Sequence, residues 1–445
     1  MSQASQTGAT ATAPVAGPSP ASADLATTGA PSPSPASATG PAAGLARPGS
    51  DTPRRLRLLS LGVIVVGIVV GLVGALVFSA LAYLLSRAEA DTAQLIRVQQ
   101  IQTNLLAADA TATNAFLVGG LEPPAQRAAY DQALTTTGEL IAQAARAQPA
   151  DADALAALNQ RVVDYAGSIE QARANNRQGL PVGAQYLRAA SAQLRTETLP
   201  ILDTLVATNA ERATTRMDMR LGYVFVVIAV LGLAAMIAGQ VWLARRFKRR
   251  VNLGMLAASV ALLAALVGGT IGVQQLSATV RSIQTGSFAA VNAAADARID
   301  ASNAKSNESL TLIARGSGAS FETAWKASAE SVVANLDRLG AAAPADEWAR
   351  YMAVHNQIRA LDDGGQWEAA VALATGSSPE SANTAFNAFD ASLAGTLDEV
   401  SKEASAGLSR PQAILVVGAI LILLVGLAAA MLGRRGVAAR LREYR

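Results

Sequence analysis

Four stretches of this 445-residue chain carry no charged side chain for long enough to cross a bilayer, which takes about 20 apolar residues. They run over 58–85, 221–244, 253–273 and 411–433. In lipid every backbone donor and acceptor has to be satisfied inside its own segment, so each stretch reads as a transmembrane helix. Composition points the same way: 51% of residues are hydrophobic and 16% charged, while the aromatics that would girdle a barrel are only 4%. The expectation is an all-α fold.

Each stretch is flanked on one side by cations. Arg54, Arg55 and Arg57 precede the first; Arg245, Arg246, Lys248, Arg249 and Arg250 lie between the second and third; Arg434, Arg435, Arg440, Arg442 and Arg445 follow the fourth. The positive-inside rule then puts both termini and the 245–252 loop in the cytoplasm of a cell-membrane protein. Divided this way, the inner segments sum to +11 and the outer ones to −8, which together give the formal net charge of +3. The basic residues read first as topology determinants beside anionic lipid, and second as a docking patch for a cytosolic partner. The first span is too long, and lies too far from the N-terminus, for a cleaved signal peptide. Residues 1–53 are almost wholly Ala, Pro, Ser, Thr and Gly and read as a disordered cytoplasmic tail.

Two outer segments of similar size, 86–220 and 274–410, suggest an internal duplication. Asn114 before Gly119 and Gly120 matches Asn307 before Gly316 and Gly318; Ala184, Leu187 and Ser191 match Ala370, Leu373 and Ser377; Asp203 meets Asp390. The matches occur in order at a nearly constant offset. The reading is a tandem duplication of span, extracytoplasmic up-and-down four-helix bundle and span. In the first bundle a helix runs from the membrane to about Val118, and Pro123 and Pro124 open the next, which ends before Pro149. Asp151 is placed to cap the third, whose seam is Leu155, Leu158, Val162, Tyr165 and Ile169. Gly179 and Pro181 close it, and the last helix returns past Pro200. The second bundle carries a stripe of Phe321, Trp325, Val332, Leu336 and Leu339 and another of Trp348, Tyr351, His355 and Ile358. The only histidine, His355, thus falls on a buried face, as a core group or as a ligand-contacting or pH-sensitive one.

Gly67 with Gly71, and Gly268 with Gly272, allow close helix approach. Packing within the chain is the favoured reading, with a homodimer as the alternative. The chain has no Cys, and no P-loop, HExxH, GxSxG, kinase signature or dinucleotide fingerprint appears. Paired acids such as Asp151 with Asp153 and Asp362 with Asp363 sit at helix boundaries and read as caps. No catalytic residue, metal, cofactor or nucleic-acid partner is expected, and no charge inside a span marks a transport path.

Four spans alternating with two helical outer domains over 54–445, the TNAFLVGGLEPP stretch over 113–124 and the tail GVAARLREYR over 436–445 resemble the GlnX-type membrane proteins of actinobacteria. The first bundle is also similar to the sensory domains of chemoreceptors and histidine kinases, without the HAMP module, methylation helices or kinase that follow there. The resemblance implies an extracytoplasmic amino-acid-binding lipoprotein outside and a soluble Ser/Thr protein kinase inside. The alternatives are direct ligand sensing by a bundle and a scaffolding role in the envelope. The contact residues expected outside are Gly119, Gly120, Glu122 and Trp367; those inside are Arg245, Arg246, Lys248, Arg249, Arg250, Arg434 and Arg435.

Overall fold

A computed structural model describes residues 52–118, 122–247 and 252–441, and all regular structure among them is helical. The expected tail therefore lies outside the described residues except for Thr52 and Pro53, which open the first helix. The order is α1 (Thr52–Val118), α2 (Pro124–Ala147), α3 (Ala152–Arg177), α4 (Val182–Gln193), α5 (Leu199–Arg216), α6 (Gly222–Phe247), α7 (Leu253–Thr285), α8 (Ser287–Ile313), α9 (Ala319–Leu339), α10 (Ala345–Asp363), α11 (Trp367–Thr375) and α12 (Ala382–Leu441). Four helical stretches are long and apolar enough to cross a membrane, within α1, within α6, from α7 onward and within α12. The chain is a multi-pass membrane protein.

The spans form a square in which α1 touches α12, α12 touches α7, α7 touches α6 and α6 touches α1. Val63, Val70, Phe78, Phe225, Met236, Met255, Leu262 and Ile422 fill its centre. Leu58, Leu76, Leu231 and Leu424 point outward and are more than half exposed, as lipid-facing side chains are. Glycine decides two of the contacts. A Cβ on Gly67 would meet Ala430 N at 2.7 Å and Gly426 O at 2.8 Å, so α1 and α12 touch backbone to backbone. A Cβ on Gly74 would lie 3.0 Å from the Phe225 ring, which leans edge-on against Phe78 with centroids 5.5 Å apart. The intrachain reading of Gly67 and Gly71 is thus realised. That of Gly268 and Gly272 is not, because a Cβ on either would meet nothing within 4 Å.

α1 continues for 67 residues and α12 for 60, far beyond the bilayer thickness, so the spans run on into the head. After Pro53 no proline interrupts α1, and its head portion is rich in Ala, Leu and Gln, all strong helix formers. α12 passes through Pro411 unbroken, and Gln412 beside it donates to Glu89 of α1 at 2.8 Å. α7 and α8 are separated only by a bend at Gly286, which the sequence reading did not anticipate.

In the head, α1 to α5 make one bundle, and α8 to α12 the other, in a repeated helix order. Leu155, Leu158, Val162, Tyr165 and Ile169 are buried as the seam requires. So are Trp348, Tyr351, His355 and Ile358. The bundles are not separate bodies, however. Ile96 and Leu117 of α1 belong to the second core, and Ile299 and Ile313 of α8 pack on the first. Three of the expected caps are also corrected. Asp151 makes no capping bond and is instead a buried acceptor for Gln94, Asn209 and Arg212. Asp362 and Asp363 lie at a helix C-terminus, where the dipole disfavours acids, and are held by Arg359.

Replacing Gly426 by Leu should drive a side chain into the α1 backbone and destabilise the membrane domain by about 1–3 kcal/mol or more, as overpacking does. Gly268→Leu should leave the melting temperature of the purified protein within experimental error. Thermal melts of both variants in detergent check the pair.

Candidate functional site

The most highly connected polar group in the head is Asp109 of α1, whose side chain is fully shielded from solvent. Counting along the helix from Leu85, it stands roughly 36 Å above the edge of the span, at about 1.5 Å per residue. A carboxylate without water needs donors from the protein. It receives them from Ser191 Oγ at 2.5 Å, Ser306 Oγ at 2.7 Å, Arg195 Nη2 at 3.0 Å and Tyr165 OH at 3.3 Å. Burial and the Asp109 charge push the Tyr165 phenol well above its ordinary pKa, which keeps it a donor. Arg195 also donates to Ser306 Oγ at 3.0 Å. The arrangement ties α1, α3 and α4 of the first bundle to α8 of the second.

Arg195 reaches the carboxylate from a wide π-turn over Leu194–Thr198 between α4 and α5. Pro200 has no N–H for the carbonyl four residues back, and its ring crowds that carbonyl. The helix absorbs the extra room as a single wide turn, with Leu199 N–H bonding Leu194 O. Sequence reasoning marked Pro200 but not Asp109 or Arg195; the available signal was a lone acid in the Ala-rich run LLAADATATNAFLV.

A second buried network centres on His355. Its Nδ1 lies 2.9 Å from Glu308 Oε2 and its Nε2 3.3 Å from Glu322 Oε2, and the ring stacks on Trp325 at 3.5 Å. Lys305 Nζ bonds the other oxygen of Glu308 at 2.7 Å, and Arg359 approaches Glu322 at 3.5 Å. Burial disfavours charge on Glu308, Glu322 and His355. For Glu308 the charges of Lys305 and His355 outweigh burial and bring its pKa down to about 2. For His355, burial is outweighed by hydrogen bonds to Glu308 and Glu322, which raise its pKa above the ordinary 6.5. Glu322 is lowered too, by His355 and Arg359 acting against burial. Both ring nitrogens face carboxylates, which favours the charged imidazole over the neutral one, and the ring lies on a buried face as the stripe requires. Tyr351 beside it carries its phenol well above the ordinary value.

Openings among the described residues interrupt the head. One, of about 290 Å³, lies at the far end of the first bundle, among Phe116, Glu122, Arg127, Ile169, Arg173 and Leu187. Glu122 is the expected contact residue that the structure places at a cavity, paired with Arg173 at 2.8 Å. Arg173 in turn lies 4.0 Å over the Tyr130 ring. Another, of about 740 Å³, is a cleft between the bundles, walled by α1 and α2 on one side and by α8 and α12 on the other. Trp367 lines neither; its indole donates to Leu312 O at 2.9 Å and lies under Arg315 at 3.9 Å, so it packs over the end of α8. Gly119 and Gly120 fall outside the described residues. At the arginine-bearing end of the spans, Arg245, Arg246, Arg434 and Arg435 are exposed, while Lys248, Arg249 and Arg250 fall outside the described residues.

The His355 network sets a pH dependence. A raised histidine pKa stabilises the fold below pH 6.5 and loses its effect as pH rises through the folded value. Lowered carboxylate pKa values stabilise above pH 4.5 and lose their effect as pH falls, for Glu308 down to about 2. Melting temperature should thus peak between those two ordinary values and decline on the alkaline side. His355→Gln should flatten the alkaline limb; an unchanged limb in that variant would assign the dependence elsewhere.

Residues 84–218, the whole first bundle of the head, match the family model described as the actinobacterial sensor domain. No curated protein and no solved structure matches the chain. The match supports a sensing or signalling role for the first bundle of this multi-pass membrane protein.

Proposed function

We propose that the protein is a non-enzymatic transmembrane signalling protein, oriented with its arginine-bearing ends in the cytoplasm of the cell. It relays extracellular amino-acid availability to a cytoplasmic Ser/Thr protein kinase. The observation that carries this reading is the continuity of α1 and α12 from head to span, with the Asp109 network locking α1 to helices of both bundles. A helix that is rigid over its whole length transmits a shift or rotation made at one end, and such small movements between packed helices are a known switching repertoire. In this account an amino-acid-binding lipoprotein docks on the head when loaded. The exposed Arg245, Arg434 and Arg435 alter their disposition toward the kinase as the helices move. A ligand can drive such a change only through its different affinity for the two arrangements.

The direct test is made in cells. Deleting the gene should abolish the response of kinase-substrate phosphorylation to external aspartate or glutamate, and restoring it should return the response. A response that persists undiminished in the deletion strain contradicts the relay.

A further inference from the structure

We propose that the cleft between the two bundles binds a small uncharged solute rich in hydroxyl groups, of the saccharide class. This site needs neither partner protein of the relay and would act on the head directly. Its volume of about 740 Å³ falls within the roughly 300–1,000 Å³ typical of small-molecule sites. Room exists because the walls carry alanine where a packed interface would carry larger side chains: Ala107 and Ala110 on α1, and Ala125, Ala129 and Ala133 on α2.

The chemistry of the lining selects the ligand. Both charged groups are already neutralised from within the chain. Lys305 is bound to Glu308 and to Ala374 O, while Asp390 has one oxygen on Arg298 Nε at 2.7 Å and the other on Nη2 at 2.9 Å. A carboxylate or ammonium ligand would enter without a free counter-charge, which a partly desolvated site penalises. What remains is a set of neutral groups that both donate and accept, the pattern that suits hydroxyls. Gln126 Nε2 and Asn383 Nδ2 converge on Asn114 Oδ1 at 3.0 and 2.9 Å. That use of its nitrogen turns Gln126 Oε1 into a solvent-shielded acceptor with no donor in the protein. A buried acceptor left unpaired is costly, and a rotation of the Gln126 amide that brings this oxygen to the cleft surface would let a ligand hydroxyl satisfy it. Asn387 supplies a further uncommitted amide at the rim, and Phe386 an apolar ring face. The walls belong to α1 and α12, both continuous with spans, and to α8, which follows α7, so occupancy bears on three of the four spans at once.

The test uses the purified full-length chain in nanodiscs, without the lipoprotein. The probes are glucose, galactose, arabinose, trehalose and maltose at millimolar concentration, with glutamate and glucosamine as charged controls. Thermal shift and saturation-transfer NMR read binding. At least one neutral sugar should bind saturably, at least about tenfold more weakly in Gln126→Leu, and not at all in Asn387→Trp, which fills the rim while leaving the sugar-free melt unchanged. The proposal is overturned if none of the five sugars binds, if binding persists undiminished in Asn387→Trp, or if only the charged controls bind. Should Gln126→Leu fail to fold, Asn387→Trp alone decides. Because kinase output is not measured, failure here leaves the relay standing, and failure of the relay in cells leaves this site standing.

Discussion

A carboxylate moved out of water loses solvation worth several kcal/mol, and only well-placed donors recover it. Asp109 is such a carboxylate, and the donors that satisfy it come from three other places in the chain: the α3 tyrosine, the end of α4 with its π-turn, and the α8 serine. None of these helices can slide along α1 without breaking a bond to a buried charge. The head is therefore held in register by one ion, and the register of the second bundle against the first depends on Ser306 keeping its place. Ser191 and Arg195 lie inside the segment that matches the sensor family, and Ser306 lies outside it. The family segment is bolted at this point to the half of the chain that the family match does not cover.

Below that point the constraint changes from polar to steric. Gly67, Gly71 and Gly426 let α1 and α12 meet at backbone distance, and Phe225 occupies space that Gly74 leaves open. Lipid offers no hydrophobic drive for helices to associate, so close packing of this kind is what holds the spans together. A helix fixed by hydrogen bonds at one end and by backbone contact at the other behaves as one rigid element over its 67 residues. The cleft lined by Gln126 and the His355 network both border α8, the first through Ser302 and Lys305 and the second through Glu308, so changes in occupancy or protonation would bear on the same helix.

Much of this was legible in the sequence, for reasons that differ by element. The spans follow from the absence of charge over long runs, and the ends of α1, α2 and α3 from Val118 before paired glycines, from Pro124 and from Gly179 with its φ of +68°. The seams of α3 and α10 follow from a 3-4 spacing that only one helix face can bury. What the sequence did not disclose is everything that depends on contacts between distant segments. Asp109 and Ser306 are 197 residues apart, and nothing local marks them as partners. Asp151 illustrates the same limit from the other side: its position suits a cap, but burial beside Arg212 and Asn209 gives it a stronger use. Glycine spacing likewise showed where helices could approach, not which pairs would; Gly67 and Gly268 look alike in sequence and differ only in what faces them.

The central claim is that the buried ion in the head sets the arrangement of the spans at their far end. With no native cysteine, Leu58→Cys on α1 and Met431→Cys on α12 introduce a clean pair of spin-label sites on exposed positions at the arginine-bearing end. Distance distributions from this pair, measured in nanodiscs with and without the further change Asp109→Asn, test the claim directly. The account predicts that neutralising Asp109 shifts or broadens the distribution at the opposite end of the helix. An identical distribution, in a variant whose head is shown to be loosened by hydrogen exchange, would mean that head and spans are not mechanically coupled.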